Sequence, residues 1–544
     1  MTTATWWKHG AIYHIYPRSF ADSNGDGVGD LPGITAHLDY LSRLGVEAIW
    51  LSPFYRSPQR DFGYDITDHT DVDPLFGTLA DFDHLLAEAH RHGLRVILDF
   101  VPNHTSIDHP WFAASRTSAD DPMRDWYIWR DPADGGPPNN WRAVTGGPAW
   151  TLDPRTGQYY LHSFLPEQPD LNWRHPEVRR AMHRVMLFWL DRGVDGFRID
   201  MVDYLLKDEH FQDEPLDGHG SYEPALARHQ LNQPGTLELL RELRDITDGY
   251  PGRVLIGEVE YRLPLPRLVS YYGQDDMLHL PINFWLLFTP WRAHDLQTFI
   301  TAYDRALPGH AWPNWVLGSH DISRIATRLG RDQVRIALML LFTLRGTPVL
   351  YYGDELGMTD VPIPPHQARD PWEGRDPART PMPWTSAPNA GFSPPETQPW
   401  LPLGDPSVNV AAQAADPGSI LNLTRALLGL RRGHAALRDG SYHPAPAPDG
   451  VLAYRRSHPD EEMLITLNLT GSALDIPIPG KTLLSTHSGT PRLLRPHEGR
   501  ITVLRAAGDV SEAGQALATI GVPGRHERGR RALARKSGHF GAGR

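Results

Sequence analysis

Three acidic residues stand at or just after the ends of short apolar segments: Asp200, Glu258 and Asp321. Arg198 lies two positions before Asp200 in an extended segment, so both side chains point to the same side. The guanidinium favours the ionised form of that carboxylate, as a nucleophile requires. Glu258 ends an apolar segment, and its two acidic neighbours would raise its pKa, which suits a general acid. Hydrolysis of a glycosidic bond uses such a pair, one carboxyl ionised and one protonated.

The segments that carry these acids have the composition of buried parallel strands: short, apolar on both faces and rich in Ile, Val, Leu and aromatic residues. The predicted strands cover residues 11–16, 46–51, 95–101, 197–200, 254–258, 277–283, 315–318 and 349–352. Amphipathic helical segments alternate with them, at 31–44, 79–92, 176–192, 236–247, 296–306 and 331–344. This alternation predicts an α/β protein with a (β/α)8 TIM barrel, whose catalytic residues lie at the carboxyl ends of the strands. A doubly wound sheet is the alternative, but no glycine-rich dinucleotide loop follows the first strand.

Changes in composition along the chain predict its domain organisation. Residues 1–104 would form the first part of the barrel (domain A), and 173–435 the second part. Between them, 105–172 is rich in Pro, Gly, Trp and Asp without a long helical period, which predicts an inserted B domain after the third strand. Short strand patterns over 436–505 predict a C-terminal antiparallel β domain. The basic stretch 506–544, rich in Ala, Gly and Arg, is predicted to be a disordered tail.

The composition excludes several classes of protein. Among 544 residues, 53 Lys and Arg against 65 Asp and Glu give a net charge of −12, which argues against a nucleic-acid partner. With no cysteine, the chain has no disulfide, thiolate metal site or cysteine nucleophile. No apolar run approaches the roughly 20 residues of a membrane span, and the first residues lack a signal-peptide pattern. We therefore expect a cytoplasmic monomer or small homo-oligomer that acts on small molecules and has no membrane partner.

Several segments that hold the candidate residues resemble a known family. They are DFVPNHT at 99–105, GFRID at 196–200, GEV at 257–259, SHD at 319–321, QPDLN at 168–172 and GTPVLYYGDELG at 346–357. In this order they resemble the conserved blocks of the α-amylase superfamily, glycoside hydrolase family 13, and within it the α-glucosidase and oligo-1,6-glucosidase branch. The resemblance extends over roughly residues 6–504. Each block alone is a weak signal, but the set is highly specific.

The resemblance implies roles for the residues already selected. Asp200 would be the nucleophile that forms a β-glucosyl–enzyme intermediate, and Glu258 would protonate the leaving oxygen and later activate water. Asp321 would bind sugar hydroxyls and stabilise the oxocarbenium-like state, while Arg198 would position Asp200.

The resemblance also implies residues that bind the substrate, namely Asp61, Tyr64, His104, Arg198, His320, Arg375 and Arg379. Tyr64 would form a stacking platform, and the two histidines would hydrogen-bond hydroxyls of the same glucose. Asp61, with either Arg375 or Arg379, would grip the distal hydroxyls of the terminal glucose and make the enzyme exo-acting.

A second group of residues has the spacing of a calcium-binding loop. Its oxygen donors would be Asp22, Asn24, Asp26, the Val28 carbonyl and Asp30. The twelfth position is Gly33 instead of a bidentate glutamate, so the segment is not a full EF-hand. The resembled branch has a calcium loop at this place, so a structural Ca²⁺ is expected, and Mg²⁺ could occupy the site instead. An acidic, glycine-rich turn without an ion is the alternative.

Met201, which follows the candidate nucleophile, leaves the linkage preference open. In the resembled branch Val at this position accompanies α-1,6 cleavage, and Ala or Thr accompanies α-1,4 cleavage. We expect a retaining exo-α-glucosidase that acts on maltose, maltooligosaccharides and sucrose, prefers α-1,4 over α-1,6 bonds and catalyses some transglucosylation. The alternatives are an oligo-1,6-glucosidase, a glucosyltransferase of the sucrose isomerase or trehalose synthase type, and a non-catalytic relative.

Overall fold

A computed structural model of the chain describes residues 5–215, 227–372, 374–489 and 492–506. The tail expected over 506–544 lies outside the described residues, apart from its first residue. Within the described ranges, no helix is both long and apolar enough to cross a lipid bilayer.

The strands of the described residues form one eight-stranded sheet, one five-stranded sheet and two small sheets. In chain order they are β1 (Ile12–Ile15), β2 (Ala48–Leu51), β3 (Tyr55–Arg56), β4 (Asp68–Val72), β5 (Arg95–Phe100), β6 (Trp129–Arg130), β7 (Trp150–Asp153), β8 (Gln158–Leu161), β9 (Gly196–Ile199), β10 (Val254–Gly257), β11 (Leu280–Pro281), β12 (Asn314–Val316), β13 (Thr347–Tyr351), β14 (Ser441–Pro444), β15 (Val451–Ser457), β16 (Glu462–Asn468), β17 (Lys481–Ser485) and β18 (Gly499–Arg505).

The eight-stranded sheet is a nearly closed barrel. Its strands follow the order β11-β10-β9-β5-β2-β1-β13-β12, and all neighbours run parallel. The predicted TIM barrel is therefore confirmed, and each predicted strand overlaps a strand of this sheet. The strand predicted over 277–283 is reduced to β11, in which Pro281 has no N–H to extend the ladder.

The helices surround the barrel and connect its strands. They are α1 (Trp6–His9), α2 (Leu31–Ala36), α3 (Leu38–Leu44), α4 (Leu79–Arg91), α5 (Pro110–Ser115), α6 (Pro176–Asp191), α7 (Thr236–Asp248), α8 (Leu265–Ser270), α9 (Trp285–Phe288), α10 (Ala293–Ala306), α11 (Ile325–Leu329), α12 (Val334–Thr343), α13 (Val410–Ala415), α14 (Ile420–Gly433) and α15 (Ala435–Arg438). A capping box between Thr78 and Asp81 begins α4. The helix predicted over 31–44 divides into α2 and α3 at His37, whose backbone leaves the helical region and whose ring hydrogen-bonds the Gly33 carbonyl (2.8 Å).

The inside of the barrel is filled by one apolar cluster. Ile12, Ala48, Ile97, Ile256 and Val349 belong to it, and each comes from a different strand. The alternate residues of the strands point outward and pack with the helices in a second, larger cluster. Because side chains alternate along a strand, the next inward position after each member of the inner cluster lies nearer the carboxyl end of the barrel.

A segment between β5 and α6 leaves the barrel and carries its own small antiparallel sheet, in the order β6-β8-β7. A separate apolar cluster that includes Trp141, Trp150 and Leu161 supports this sheet. We call the segment the insert, residues 105–172.

The chain ends in an antiparallel five-stranded sheet with the order β14-β15-β16-β18-β17, as the predicted C-terminal β domain requires. Buried Arg456 joins this sheet to the barrel, because its guanidinium donates to the carbonyls of Gly440 (2.8 Å) and Thr343 (2.5 Å). Thr343 ends α12, so the arginine satisfies a carbonyl that the helix itself leaves without a partner.

At the amino ends of the strands, a buried carboxylate connects three elements of the barrel. Asp195, with a fully buried side chain, accepts from His90 (2.6 Å), Arg95 (3.0 Å) and Arg253 (3.2 Å). It also accepts from the backbone N–H of Val96 (3.0 Å). This cluster lies at the end of the barrel opposite to the one where catalytic residues are expected.

Candidate active site

A polar layer lies above the apolar layer that fills the barrel. Asp99 follows Ile97 by two positions on β5, and Glu258 follows Ile256 by two positions at the end of β10. Arg198 of β9 is in register with Asp99 on one side and with Ile256 on the other. The alternation of strand side chains therefore gathers acidic groups around one arginine at the carboxyl end of the barrel.

The guanidinium of Arg198, only 2% exposed, holds three carboxylates. Its Nη1 donates to Asp99 (2.6 Å) and to Asp200 (2.8 Å), and its Nη2 donates to Glu258. Two of the acids expected from the sequence are thus bound to different nitrogens of the same cation. Asp99, the third carboxylate on Arg198, begins the matching segment 99–105 and was not assigned a role from the sequence.

Burial and neighbouring charges shift the pKa values of these acidic residues in different directions. Burial is the largest cause that raises the pKa of Glu258 well above its ordinary value, and nearby Asp200 and Asp321 raise it further against the pull of Arg198. Burial likewise raises the pKa of Asp99 to about 7. Glu258 can therefore hold a proton near neutral pH, as a general acid must.

Asp321 is held in the opposite state. Burial alone would raise its pKa, but its positively charged neighbours outweigh burial and hold that pKa well below the usual range. Arg379 (2.9 Å) and Arg375 (3.2 Å) both donate to the same oxygen of Asp321. Beside it, burial lowers the pKa of His320 to about 3, so this imidazole is neutral.

One wall of the site is built from Asp61, Tyr64 and their partners. Tyr64 stacks on His320, with ring planes 4° apart, and its hydroxyl donates to Asp99 (2.9 Å). Asp61 accepts from Nη2 of Arg375 (2.9 Å). Arg375 thus bridges Asp61 and Asp321 across the site.

The two candidate arginines differ in their access to ligands. Arg375 lines the cavity at the site, whereas Arg379 is 1% exposed, lies behind Asp321 and donates through Nε to the His320 carbonyl (2.7 Å). Of the two, Arg375 is therefore the one that can touch a sugar.

These groups surround a cavity of about 300 Å³. Its lining contains eight of the residues selected from the sequence: Asp61, Tyr64, His104, Asp200, Glu258, His320, Asp321 and Arg375. Arg198 and Arg379 are not in this lining and act from behind the carboxylates.

The cavity lining also contains Met201, which the sequence analysis singled out for the linkage preference, and six residues to which it assigned no role: Val144, Phe164, Gln168, Glu260, Tyr261 and Trp372. Gln168 begins the matching segment 168–172 and could have been found there. Phe164 comes from the insert and stacks on Trp372 (5.8 Å between ring centroids), which comes from the loop after β13. No periodic pattern marks this long-range pair.

Met201 follows Asp200 and connects β9 to the next turn with unusual backbone geometry. Its φ of +40° lies in the left-handed region, where a side chain other than glycine is strained. The residue after it, Val202, donates its N–H to the Glu258 carbonyl (2.9 Å). The turn therefore ties the segment after Asp200 to the end of β10.

The acidic loop before α2 presents oxygen donors of the kind that Ca²⁺ prefers. Asp22 accepts from the N–H groups of Gly25 (2.7 Å) and Gly27 (2.9 Å), and Asp26 accepts from that of Val28 (2.9 Å). Across the described residues, no group of three or more His, Cys, Asp or Glu side chains is arranged to hold a metal ion. A calcium site here would therefore depend on amide and carbonyl oxygens as well as carboxylates.

A comparison of the chain with known protein families agrees with the chemistry of this site. A model of the α-amylase catalytic domain matches residues 14–440, which is most of the chain. The protein belongs to the α-amylase family, glycoside hydrolase family 13, and it is a glycoside hydrolase.

Its relatives lie in the α-glucosidase branch of that family. The chain is 40% identical over 511 residues to a probable α-glucosidase of Rhizobium meliloti, with 88% of this chain and 92% of the relative covered. It is 39% identical over 513 residues to an oligo-1,6-glucosidase of Parageobacillus thermoglucosidasius, with 86% and 90% covered.

Two solved structures have a fold similar to that of this chain. The α-glucosyl transfer enzyme XgtA is 41% identical and gives a TM-score of 0.86, covering 92% of this chain and 99% of its own. The trehalulose synthase MutB from Pseudomonas mesoacidophila is 34% identical, with a TM-score of 0.85 over 92% and 99% of the two chains.

The raised pKa of Glu258 predicts an effect on stability. A carboxyl group whose pKa is higher in the folded than in the unfolded protein destabilises the fold as the pH rises from its ordinary value of 4.5 through the folded value. Glu258→Gln, which stays neutral, should therefore raise the melting temperature near neutral pH, and the gain should vanish toward pH 4.5. Thermal unfolding of both proteins across this range measures the effect. An equal melting temperature at every pH would contradict the raised pKa.

Proposed function

We propose that the protein is a retaining, exo-acting α-glucosidase that releases α-glucose from the non-reducing end of short α-glucosides. One observation carries the proposal: Asp200 and Glu258 bind different nitrogens of the same Arg198 guanidinium. Carboxyl groups held this way favour the short separation of retaining glycosidases, about 5–5.5 Å, over the roughly 6.5–9.5 Å of inverting ones.

In the first step, an Asp200 oxygen attacks the anomeric carbon while the bond from that carbon to the leaving oxygen breaks. Glu258 gives its proton to the leaving oxygen, so the leaving sugar departs as an alcohol. The product is a β-glucosyl ester of Asp200, and Glu258 becomes ionised. Arg198, which donates to both groups in the free enzyme, stabilises the negative charge that Glu258 carries at this stage.

In the second step, water enters from the side of the departed sugar. Glu258, now a carboxylate, takes a proton from the water, and the water oxygen attacks the anomeric carbon. The ester bond to Asp200 breaks, α-glucose leaves and Glu258 regains its proton. Asp321, kept ionised by its two arginines, stabilises the positive charge that develops on the sugar in both transition states.

The bridge from Asp61 through Arg375 to Asp321 supports exo action. The bridge places the charged guanidinium of Arg375 at the cavity wall. The terminal glucose would fill the closed end of the cavity there and hydrogen-bond this group. Tyr64 offers an aromatic face beside it, and His104 and His320 offer hydrogen-bonding groups within the same lining. The names of the relatives, which include α-glucosidases, maltases and oligo-1,6-glucosidases, support maltose and related short α-glucosides as substrates.

Replacing the nucleophile should abolish turnover. Asp200→Asn should lower kcat/KM for p-nitrophenyl α-glucoside by about 10⁴-fold or more, since the amide cannot form the ester. Asp191→Asn, at the exposed end of α6, is the control and should keep the wild-type rate. In the wild type, ¹H NMR should detect α-glucose as the first sugar released. Wild-type activity in Asp200→Asn, or β-glucose as the first product, would refute the mechanism.

Removing the bridge should weaken the recognition of the terminal glucose. Arg375→Gln should lower kcat/KM for maltose by about 10- to 100-fold, the value of a charged hydrogen bond. It should also raise the relative rate on a maltooligosaccharide whose non-reducing end is blocked with an ethylidene group. Arg379→Gln is the matched control, because Arg379 reaches Asp321 but not the cavity. An unchanged ratio of blocked to free substrate in Arg375→Gln would contradict the exo assignment.

Glucosyl transfer is the second candidate activity. It is supported by the similarity to structures of an α-glucosyl transfer enzyme and of a trehalulose synthase. Both activities share the ester of Asp200 and differ in the acceptor, which is water in hydrolysis and a sugar hydroxyl in transfer.

The products on maltose and sucrose separate the two activities. We expect mainly free glucose, from maltose alone and with fructose from sucrose, together with a minor fraction of transfer products. Chromatography of the early products measures the ratio. A rearranged disaccharide as the main product would overturn hydrolysis in favour of isomerisation.

We further propose that the acidic loop binds a structural Ca²⁺, with Mg²⁺ as a possible substitute. The donors would be Asp22, Asn24, Asp26, the Val28 carbonyl and Asp30, which share the oxygen chemistry of such sites. The loop lies directly before α2, whose first turn is capped by Asp30, so a bound ion would stabilise this helix start.

Removing the ion should destabilise the fold. Prolonged dialysis against EDTA should lower the melting temperature, because an ion bound only by the folded state stabilises it. Restoring Ca²⁺ should reverse the change, and Asp26→Asn should be insensitive to both treatments. An unchanged melting temperature, with no calcium or magnesium detected by elemental analysis, would refute the site.

A further inference from the structure

The arginine that faces the cavity is held by an acidic residue that the mechanism above does not use. Asp370 lies in the loop after β13, and its side chain is only 2% exposed and outside the cavity lining. Its Oδ1 accepts from Nε (2.9 Å) and Nη2 (2.5 Å) of Arg375, and its Oδ2 accepts from the backbone N–H of the same residue (2.9 Å). One carboxylate therefore fixes both the backbone and the side chain of Arg375.

The contacts of Arg375 divide its guanidinium into an edge that is held and an edge that faces the site. A guanidinium carries one N–H group on Nε and two on each Nη. Asp370 accepts from Nε and from one N–H of Nη2, Asp61 accepts from the other N–H of Nη2 (2.9 Å), and Asp321 accepts from Nη1 (3.2 Å). The second N–H of Nη1 has no acceptor among the described residues, and its side chain lines the cavity. A hydroxyl of the terminal glucose would be its acceptor.

An aromatic ring covers one face of the same guanidinium. The guanidinium carbon of Arg375 lies 4.3 Å from the centroid of the Trp372 ring. The backbone N–H of Trp372 donates to Asp370 (3.2 Å), so the acid also holds the residue that carries this ring. The backbone N–H of Asp370 in turn donates to buried Asp376 (3.0 Å). With one edge and one face held, the guanidinium keeps the orientation in which its other edge reaches the cavity.

The contacts with Arg375 also keep Asp370 charged. Burial would raise the pKa of Asp370, but the hydrogen bonds and the positive charge of Arg375 outweigh burial and hold that pKa below its ordinary value. Asp370 is therefore ionised near neutral pH. Hydrogen bonds between charged groups are stronger than neutral ones, and loss of this carboxylate would leave buried N–H groups of the guanidinium without an acceptor.

We propose that Asp370 is a positioning residue that acts through Arg375 and fixes the N–H group that Arg375 offers to the terminal glucose. The inference rests on the proposed exo-acting function, because it assigns a task to a side chain behind that site. Without the Asp370 carboxylate, Nε and Nη2 lose an acceptor and the guanidinium can turn about its side-chain torsions. Arg375 then keeps its charge but no longer directs Nη1 at the sugar.

The test compares maltose with the maltooligosaccharide whose non-reducing end is blocked. Asp370→Asn removes the charge and keeps the shape of the side chain. It should lower kcat/KM for maltose by about tenfold, the value of a hydrogen bond to a charged group, and raise the relative rate on the blocked substrate, as Arg375→Gln does. Asp370→Glu keeps the charge but moves the carboxylate by one methylene. It should change the ratio in the same direction, and it serves where Asp370→Asn does not fold.

A double-variant cycle shows whether Asp370 acts through Arg375. Two residues that work through one contact give losses that do not add. Asp370→Asn/Arg375→Gln should therefore match Arg375→Gln alone in kcat/KM for maltose, within about twofold. This comparison needs no stable single variant of Asp370, because the double variant removes both partners of the buried pair. A further loss of about tenfold in the double variant would show that Asp370 acts by another route and would overturn the inference.

A buried acid–arginine pair elsewhere provides the matched control. Asp153 in the insert has a fully buried side chain and accepts from Nε of Arg116 (2.9 Å), and neither residue lines the cavity. Asp153→Asn should lower the melting temperature without changing the ratio of blocked to free substrate. The same change of ratio in Asp153→Asn would mean that any loosening of the fold produces it, and this would overturn the role of Asp370.

The results separate this inference from the function on which it rests. An unchanged ratio in Arg375→Gln would remove the exo assignment, whatever Asp370 does. A changed ratio in Arg375→Gln but not in the folded variants of Asp370 would overturn only the role of Asp370. The same change in both, without an added loss in the double variant, supports that role.

Discussion

The structure of the active site depends on one buried cation. Arg198 holds Asp99, Asp200 and Glu258 in a region almost without contact with water. Carboxylates buried this close together repel one another and resist ionisation unless a positive charge lies between them. The barrel provides the arrangement, since β5, β9 and β10 are neighbours and their polar residues share one level. Beneath the arginine, the Trp50 ring lies 5.2 Å from the guanidinium carbon and fills the space below the charge.

The same site holds two acids in opposite states because its cations are unevenly distributed. Glu258 shares the single charge of Arg198 with two other acids, and burial keeps its proton in place. Asp321 lies against His320, Arg375 and Arg379, and these neighbours hold its pKa low in spite of burial. The protonated acid and the stabilising anion that the proposed mechanism needs therefore differ in the number of positive neighbours each one has.

Much of this architecture could be predicted from the sequence. The barrel strands could be predicted because buried parallel strands are short and apolar. Asp200, Glu258 and His320 could be predicted as site residues because they lie at the carboxyl ends of those strands. Apart from Arg375, the selected residues that the structure brings into one cavity follow predicted strands or lie in the matching segments. The division of the helix at His37 and the short β11 were missed, because each depends on one residue that overrides a periodic pattern.

What could not be predicted comes from segments without periodicity. Phe164 and Val144 reach the cavity from the insert, and Trp372 reaches it from the long loop after β13. The choice between Arg375 and Arg379 needed three-dimensional contacts, since both lie in the same short stretch and both bind Asp321.

The central claim is that Asp200, held by Arg198, becomes covalently bound to the sugar. The most direct test is to trap that ester with 5-fluoro-α-D-glucosyl fluoride, which slows the second step, and to locate the label by mass spectrometry of peptides. The account predicts one fluoroglucosyl group per chain on Asp200, and no labelling of Asp200→Asn. A label on a different side chain, or turnover of the reagent without any covalent intermediate, would contradict it.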